Sequence, residues 1–145
     1  MDRREALQGV VALTAVAAAA NASAQQEQHH HHHGGGKYAA LMETAGDCVK
    51  TGETCLTHCH DSLATGDKSL GQCAKRVSEL MAACSALRSL AAQNSRFVPQ
   101  YARLTMQVCD ACEKECRKHA SKHESCNACA ESCAACSKEC KALTT

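Results

Sequence analysis

The chain has 145 residues with 13 cysteines, one proline, no tryptophan, two tyrosines, one phenylalanine and a formal net charge of +1. That length holds one domain with tails, and the scarcity of aromatic and β-branched residues, with no isoleucine at all, excludes a sheet protein. A sequence pI of about 7.5 leaves no electrostatic footprint for nucleic acid or an acidic membrane.

At the N-terminus, Arg3-Arg4 precede an apolar run over residues 10–20, and Ala22-Ser23-Ala24 forms an A-x-A cleavage pattern. A run of about 11 residues is too short to span a bilayer. Residues 1–24 therefore read as a signal peptide, with an alanine-rich first helix as the competing reading. The paired arginines resemble a twin-arginine signal. The expected location is periplasmic, after export, with no membrane insertion. Residues 25–36 follow as a disordered tail with five histidines at 29–33 and three glycines. Five consecutive imidazoles bind divalent or cuprous metal loosely; an expression tag is the blander explanation.

Residues 37–145 predict four helices. The first runs over about 37–65 and stops at Gly66-Asp67. Ser69 serves as N-cap for a second, to about 93, which Asn94-Ser95-Arg96 break. Pro99 sits in the first turn of the third, which runs to about 119. Ser121-Lys122-His123-Glu124 reads as a capping box opening the fourth, to about 143. Turns this short place consecutive helices antiparallel, so the expected fold is all-α: an antiparallel up-down-up-down four-helix bundle with a cysteine-lined core.

The fourth helix carries Cys126, Cys129, Cys133, Cys136 and Cys140, spaced 3-4-3-4. That is the a/d spacing of a helix in a bundle, where leucine would ordinarily face the axis. Helix three repeats it with Cys109, Cys112 and Cys116. Helix one places Cys48, Cys55 and Cys59 on one face, and helix two adds Cys73 and Cys84 beside Val77, Leu80 and Leu87. All four helices aim thiols at one axis. Residues 37–145 hold only nine Leu, four Val and one Phe, a share typical of disordered chains. Capping signals and helix formers argue for order, so bound metal is the natural filler and staple of the core.

Disulfides are the default for an exported cysteine-rich chain. Thirteen is odd, however, and side chains at i, i+3 and i, i+4 lie about 5–6 Å apart at Cβ, beyond the roughly 3.5–4.5 Å of a disulfide. Zinc favours isolated tetrahedral knuckles on loops, whereas the C-x2-C pairs here lie in continuous helix. Iron–sulfur ligation suits helical cysteines poorly for the same reason. Cu(I) is soft and prefers thiolate. One copper per thiolate also leaves a neutral core, and uncompensated buried charge is very costly. Many Cu(I) ions, on the order of one per cysteine, are therefore expected along the axis.

These residues resemble an exported bacterial copper storage protein family. The resemblance covers most of residues 38–143. It is carried by Cys48-Val49, Cys55-Leu56-x-His58-Cys59, Cys73, Ala82-Ala83-Cys84-x-Ala86-Leu87, Asn94-Ser95-x-Phe97, Val108-Cys109-x-Ala111-Cys112-x-Lys114-Glu115-Cys116, and the run from Cys126 to Glu139-Cys140. It implies Cu(I) storage, a homotetramer of bundles, and supply of copper to cuproenzymes; in methane-oxidising bacteria that client is membrane methane monooxygenase. Exported members carry methionines at the open end of the bundle beside a histidine. Here the histidine is His58, a mouth ligand, while Ser62, Thr65 and Leu70 stand at the methionine positions. His60 faces another side of the helix.

Met42, Met81 and Met106 read as core filler. His119 and His123 read as solvated, and Tyr38, Phe97 and Tyr101 as the cap of a bundle end. Leu56, Leu63 and Leu70 recur every seven residues, as core flank or an oligomer contact. No cysteine has the paired His and acid of a nucleophile, so no enzyme is expected. Detoxification of copper or silver, a disulfide-stapled structural domain and a thiol oxidoreductase remain as competing functions.

Overall fold

The computed structural model describes residues 36–144, so the expected signal peptide and all but the last residue of the His/Gly-rich tail lie outside the described residues. Four helices make up the fold: α1 (Ala39–Ala64), α2 (Gly71–Ala92), α3 (Val98–Arg117) and α4 (Glu124–Ala142). They follow one another antiparallel around a ring. α1 packs on α2, α2 on α3, α3 on α4 and α4 on α1, with no diagonal contact between helix backbones among the described residues. The space between the diagonals is left to side chains. No helix among the described residues is long and apolar enough to cross a membrane.

The first two helices stop through the same device. After α1, Gly66 N–H bonds the Leu63 carbonyl and Asp67 N–H the Ser62 carbonyl, each at 3.0 Å. After α2, Asn94 N–H bonds Ala91 O and Ser95 N–H bonds Leu90 O, again at 3.0 Å. These are Schellman motifs, which need a left-handed residue just past the helix end; Gly66 has φ +90° and Asn94 φ +48°. The stop signals in the sequence coincide with them.

The start signals are displaced by one or two residues. α2 begins after Leu70 rather than Ser69, and α4 after His123 rather than Ser121, neither with a side-chain cap. Lys122 and His123 N–H both bond the His119 carbonyl at 3.0 Å, so residues 119–122 form turns rather than the first turn of a helix. His123 is extended, with φ −133° and ψ 105°. The capping box expected from Ser121 and Glu124 therefore does not form; Glu124 opens α4 instead.

Each helix buries one seam at alternating 4-3 spacing. On α1 it is Leu41, Ala45, Cys48, Gly52, Cys55 and Cys59. On α2 it is Cys73, Val77, Leu80, Cys84, Leu87 and Ala91, within a slightly wider buried stripe. On α3 it is Val98, Ala102, Thr105, Cys109, Cys112 and Cys116, and on α4 the five cysteines from Cys126 to Cys140. Such a heptad seam is what keeps one face of each helix on a common axis. More than half of these positions are cysteine. The end of the bundle where α1 begins is closed by Tyr38, Leu41, Ala91 and Val98, all buried. Tyr101 is partly buried there, but Phe97 stands 49% exposed and does not cap the end.

Candidate metal centre

All 13 cysteines are free thiols, and none has any solvent-exposed surface. The antiparallel register stacks the seams into layers. Cys48, Cys84, Cys109 and Cys136, one from each helix, form a ring whose sulfurs all lie within 4.8 Å of one another. One turn toward the open end, Cys112 and Cys133 share a layer and form a trio with Cys129. Next come Cys55, Cys116 and Cys129, again within 4.8 Å. Nearest the mouth, Cys55, Cys59 and Cys73 form the last trio, with Cys126 beside Cys55 and Cys73. Cys73 lies 3.5 Å from Cys116, 3.9 Å from Cys55 and 3.9 Å from Cys126. Cys55 and Cys126 are 3.8 Å apart, and Cys112 and Cys116 3.9 Å apart. Cys140 sits alone one turn below the ring. The trios share members, and Cys48 of the ring interacts with Cys133 of the next layer, so the sulfurs run as one connected column.

Sulfur separations of 3.5–3.9 Å are far longer than the roughly 2.05 Å of a disulfide. They suit sulfurs bridged by a shared soft cation. Cys48 adds a donated S–H bond to the Ser132 carbonyl at 3.2 Å, and Thr51 and Ser132 hydroxyls meet at 2.6 Å across α1 and α4. Ser132 is thereby satisfied beside the column rather than in it.

The buried thiols divide electrostatically. S–H donation from Cys109 and Cys133 pulls Cys48 down to about 5, and donation from Cys116 and Cys55 pulls Cys73 down to about 2. Cys129 and Cys136 are pulled down as well, chiefly by Cys112 and Cys109. Burial pushes Cys59 up to about 12 and Cys126 up to about 11. Cys109 and Cys140 are raised as donors to Cys136. Sulfurs that collect S–H donors thus occur at both levels, in the ring and toward the mouth, and each is eased toward the thiolate form that a soft cation binds.

The open end differs from the sequence reading. His58 Nε2 and His123 Nδ1 are 2.8 Å apart, with ring centroids 4.8 Å apart. His119 lies next to His123, centroids 6.5 Å apart. Its Nε2 is buried without a hydrogen bond, 3.5 Å from Glu115 Oε1. His119 and His123, expected to be solvated, therefore join His58 in an imidazole cluster over the mouth layer. The signal for them was present: Cys112, Cys116, His119 and His123 continue the 4-3-4 spacing of the α3 seam past the helix end. His60 is exposed, as expected. Of the three positions expected to carry methionine, Thr65 is exposed and Ser62 partly buried, whereas Leu70 is fully buried and plugs the core beneath the α1–α2 turn. Met42, Met81 and Met106 are partly buried against the core, as filler.

A family model described as copper storage protein matches residues 35–145. Among solved structures, the chain is similar to a Cu(I)-bound copper storage protein, BsCsp3, at 28% identity and a TM-score of 0.68, covering 74% of this chain and 98% of that one. It is also similar to copper storage protein 3 of Bacillus subtilis in its apo form, at 28% identity and a TM-score of 0.66, covering 74% and 99%. A copper storage protein, Ccsp, of Streptomyces lividans, loaded with 10 copper equivalents, matches at 25% identity and a TM-score of 0.68, covering 77% and 88%. An uncharacterised cysteine-rich protein, YhjQ, of Bacillus subtilis is 29% identical over 92 residues, 63% of this chain and 82% of that protein.

Proposed function

From the chain's place in the copper storage protein family, to which it belongs, we propose that it stores Cu(I) as many ions, on the order of one per cysteine, for later supply to cuproenzymes. The observation that carries this reading is the connected column of 13 buried free thiols. A thiolate carries −1 and Cu(I) +1, so filling the column neutralises it; divalent ions held by four thiolates each would leave buried negative charge. Loading exchanges each thiol proton for a copper, and the proton leaves to solvent.

The same reading assigns His58 as a ligand at the mouth, with His119 and His123 beside it to pass copper inward to Cys59, Cys73 and Cys126. Neutral imidazole and thiolate both bind copper, and the unbonded Nε2 of His119 supports the role. It further assigns export by a twin-arginine signal in residues 1–24, on the strength of Arg3-Arg4 and Ala22-Ser23-Ala24. A homotetramer of bundles also belongs to it. The half-exposed Phe97 and Leu104, beside Leu90 and Tyr101, offer such an assembly an apolar contact.

Thiol counting under anaerobic conditions tests the storage reading against a disulfide scaffold. Denatured without reductant, the metal-free protein is expected to show all 13 cysteines reactive, and Cu(I) loading to protect most of them. Near-zero reactive thiols in the metal-free protein would overturn the reading.

A further inference from the structure

Thr105 stands apart from the other threonines among the described residues. Thr44, Thr51, Thr54 and Thr57 each donate their hydroxyl to the carbonyl four residues back, at 2.9–3.4 Å. All four sit on the outer or flanking faces of α1. Thr105 is 0% exposed, and its Oγ1 has no hydrogen-bond partner. An unmade hydrogen bond in a dry core is destabilising, and valine would fill the same space without that loss. The hydroxyl therefore needs a reason other than packing.

Register supplies one. The ring of Cys48, Cys84, Cys109 and Cys136 takes one residue from each helix. One turn toward the closed end, the antiparallel seams bring up Ala45, Leu87, Thr105 and Cys140, all of them buried. Cys140 is the only thiol in that layer, and Thr105 is the only other polar side chain in it. Cys140 is also the one cysteine at the closed end that joins no group of three sulfurs. Its hydrogen-bonding sulfur partner is Cys136, one turn away on the same helix, while Cys48 of the ring acts on it through charge.

We propose that Thr105 is a positioning residue for the deepest copper: its hydroxyl donates to the Cys140 thiolate once Cu(I) has replaced that thiol's proton. This rests on the storage reading. In the metal-free state Cys140 keeps its own S–H, and a neutral thiol sulfur is a weak acceptor. Loading removes the proton to solvent and leaves a thiolate shared with Cu(I) and Cys136. A charged acceptor makes the O–H bond roughly twice as strong as a neutral pair. Cys136 and Cys140, two sulfurs of one helix, would then hold this copper, and the hydroxyl offsets the negative charge left on Cys140. The unmet hydrogen bond of the empty protein is met in the full one, so Thr105 lowers stability when empty and raises retention when loaded.

The test uses Thr105→Val, Thr105→Ser and the same valine change in a Cys140→Ser background. Chains loaded anaerobically with Cu(I) are challenged with a chromophoric chelator, and release is followed to completion. The valine variant is expected to melt higher than wild type when metal-free, yet to yield its last-released copper about tenfold more readily, since a bond to a charged group is lost. Serine, which keeps the hydroxyl, is expected to restore retention. In the Cys140→Ser background the valine change should alter retention no further. Wild-type retention in the valine variant, or an undiminished effect of valine without Cys140, would overturn the inference. Wild-type protein that holds only one or two coppers would instead defeat the storage reading itself, which separates the two failures.

Discussion

At the residue scale, the metal-free core is a set of protons waiting to be exchanged. Cys59 and Cys126 keep theirs up to about 12 and about 11, against 9.0 for an unperturbed thiol. A raised folded pKa contributes stability that is full below the unfolded value and is lost as pH climbs through the folded one. Cys48 and Cys73, held at about 5 and about 2, act oppositely: their contribution is full above 9.0 and fades as pH falls. Between about pH 8 and pH 11 the depressed groups have little left to gain, while Cys59, Cys126 and the other raised thiols lose. The Tm of the metal-free protein should fall across that interval, and that of the Cu(I)-loaded protein, with those protons gone, should fall much less. Thermal melts on both forms measure it; a metal-free Tm that rises with pH would show that the thiols are not held protonated by burial.

At the element scale, two glycines of α1 separate helix propensity from helix packing. A Cβ at Gly46 would meet only the Arg88 side chain, at 3.9 Å. Gly46→Ala should therefore stabilise the fold by about 0.5–1 kcal/mol. A Cβ at Gly52 would stand 2.8 Å from Met81 Cγ and 3.5 Å from Val77 Cγ1, where α1 approaches α2. There the overpacking cost of about 1–3 kcal/mol outweighs the propensity gain of about 1 kcal/mol, so Gly52→Ala should destabilise. Denaturant melts of the two variants check the opposite signs. Much of this scale was legible in the sequence, because the 3-4 spacing of cysteines and the stop residues Gly66 and Asn94 are local signals. The helix starts were not. Ser121 and Glu124 satisfy a capping pattern, but a tertiary demand wins: an extended His123 reaches His58 across the mouth. Nor could spacing alone show that Thr105 shares a layer with Cys140, since that depends on how α3 and α4 slide past each other.

For the whole molecule, the shortage of aliphatic residues and the abundance of cysteine are one fact. Leu41, Leu80, Leu87, Val77 and Val98 close one end of the bundle and line α2, and thiols occupy most of what remains. A conventional bundle of this size would draw its stability from leucine; here a large part must come from the metal, because binding to the folded state alone stabilises it by mass action. The thiol column runs from the imidazole cluster of His58, His119 and His123 at one end to Cys140 near the other, so capacity is a property of the full length of the bundle and not of a single site. The most direct measurement is an anaerobic titration of the metal-free protein with Cu(I) in the presence of a chromophoric competitor. The protein is expected to outcompete the chelator up to on the order of one Cu(I) per cysteine before free chelate forms; saturation at about one or two equivalents per chain would contradict a multi-ion store.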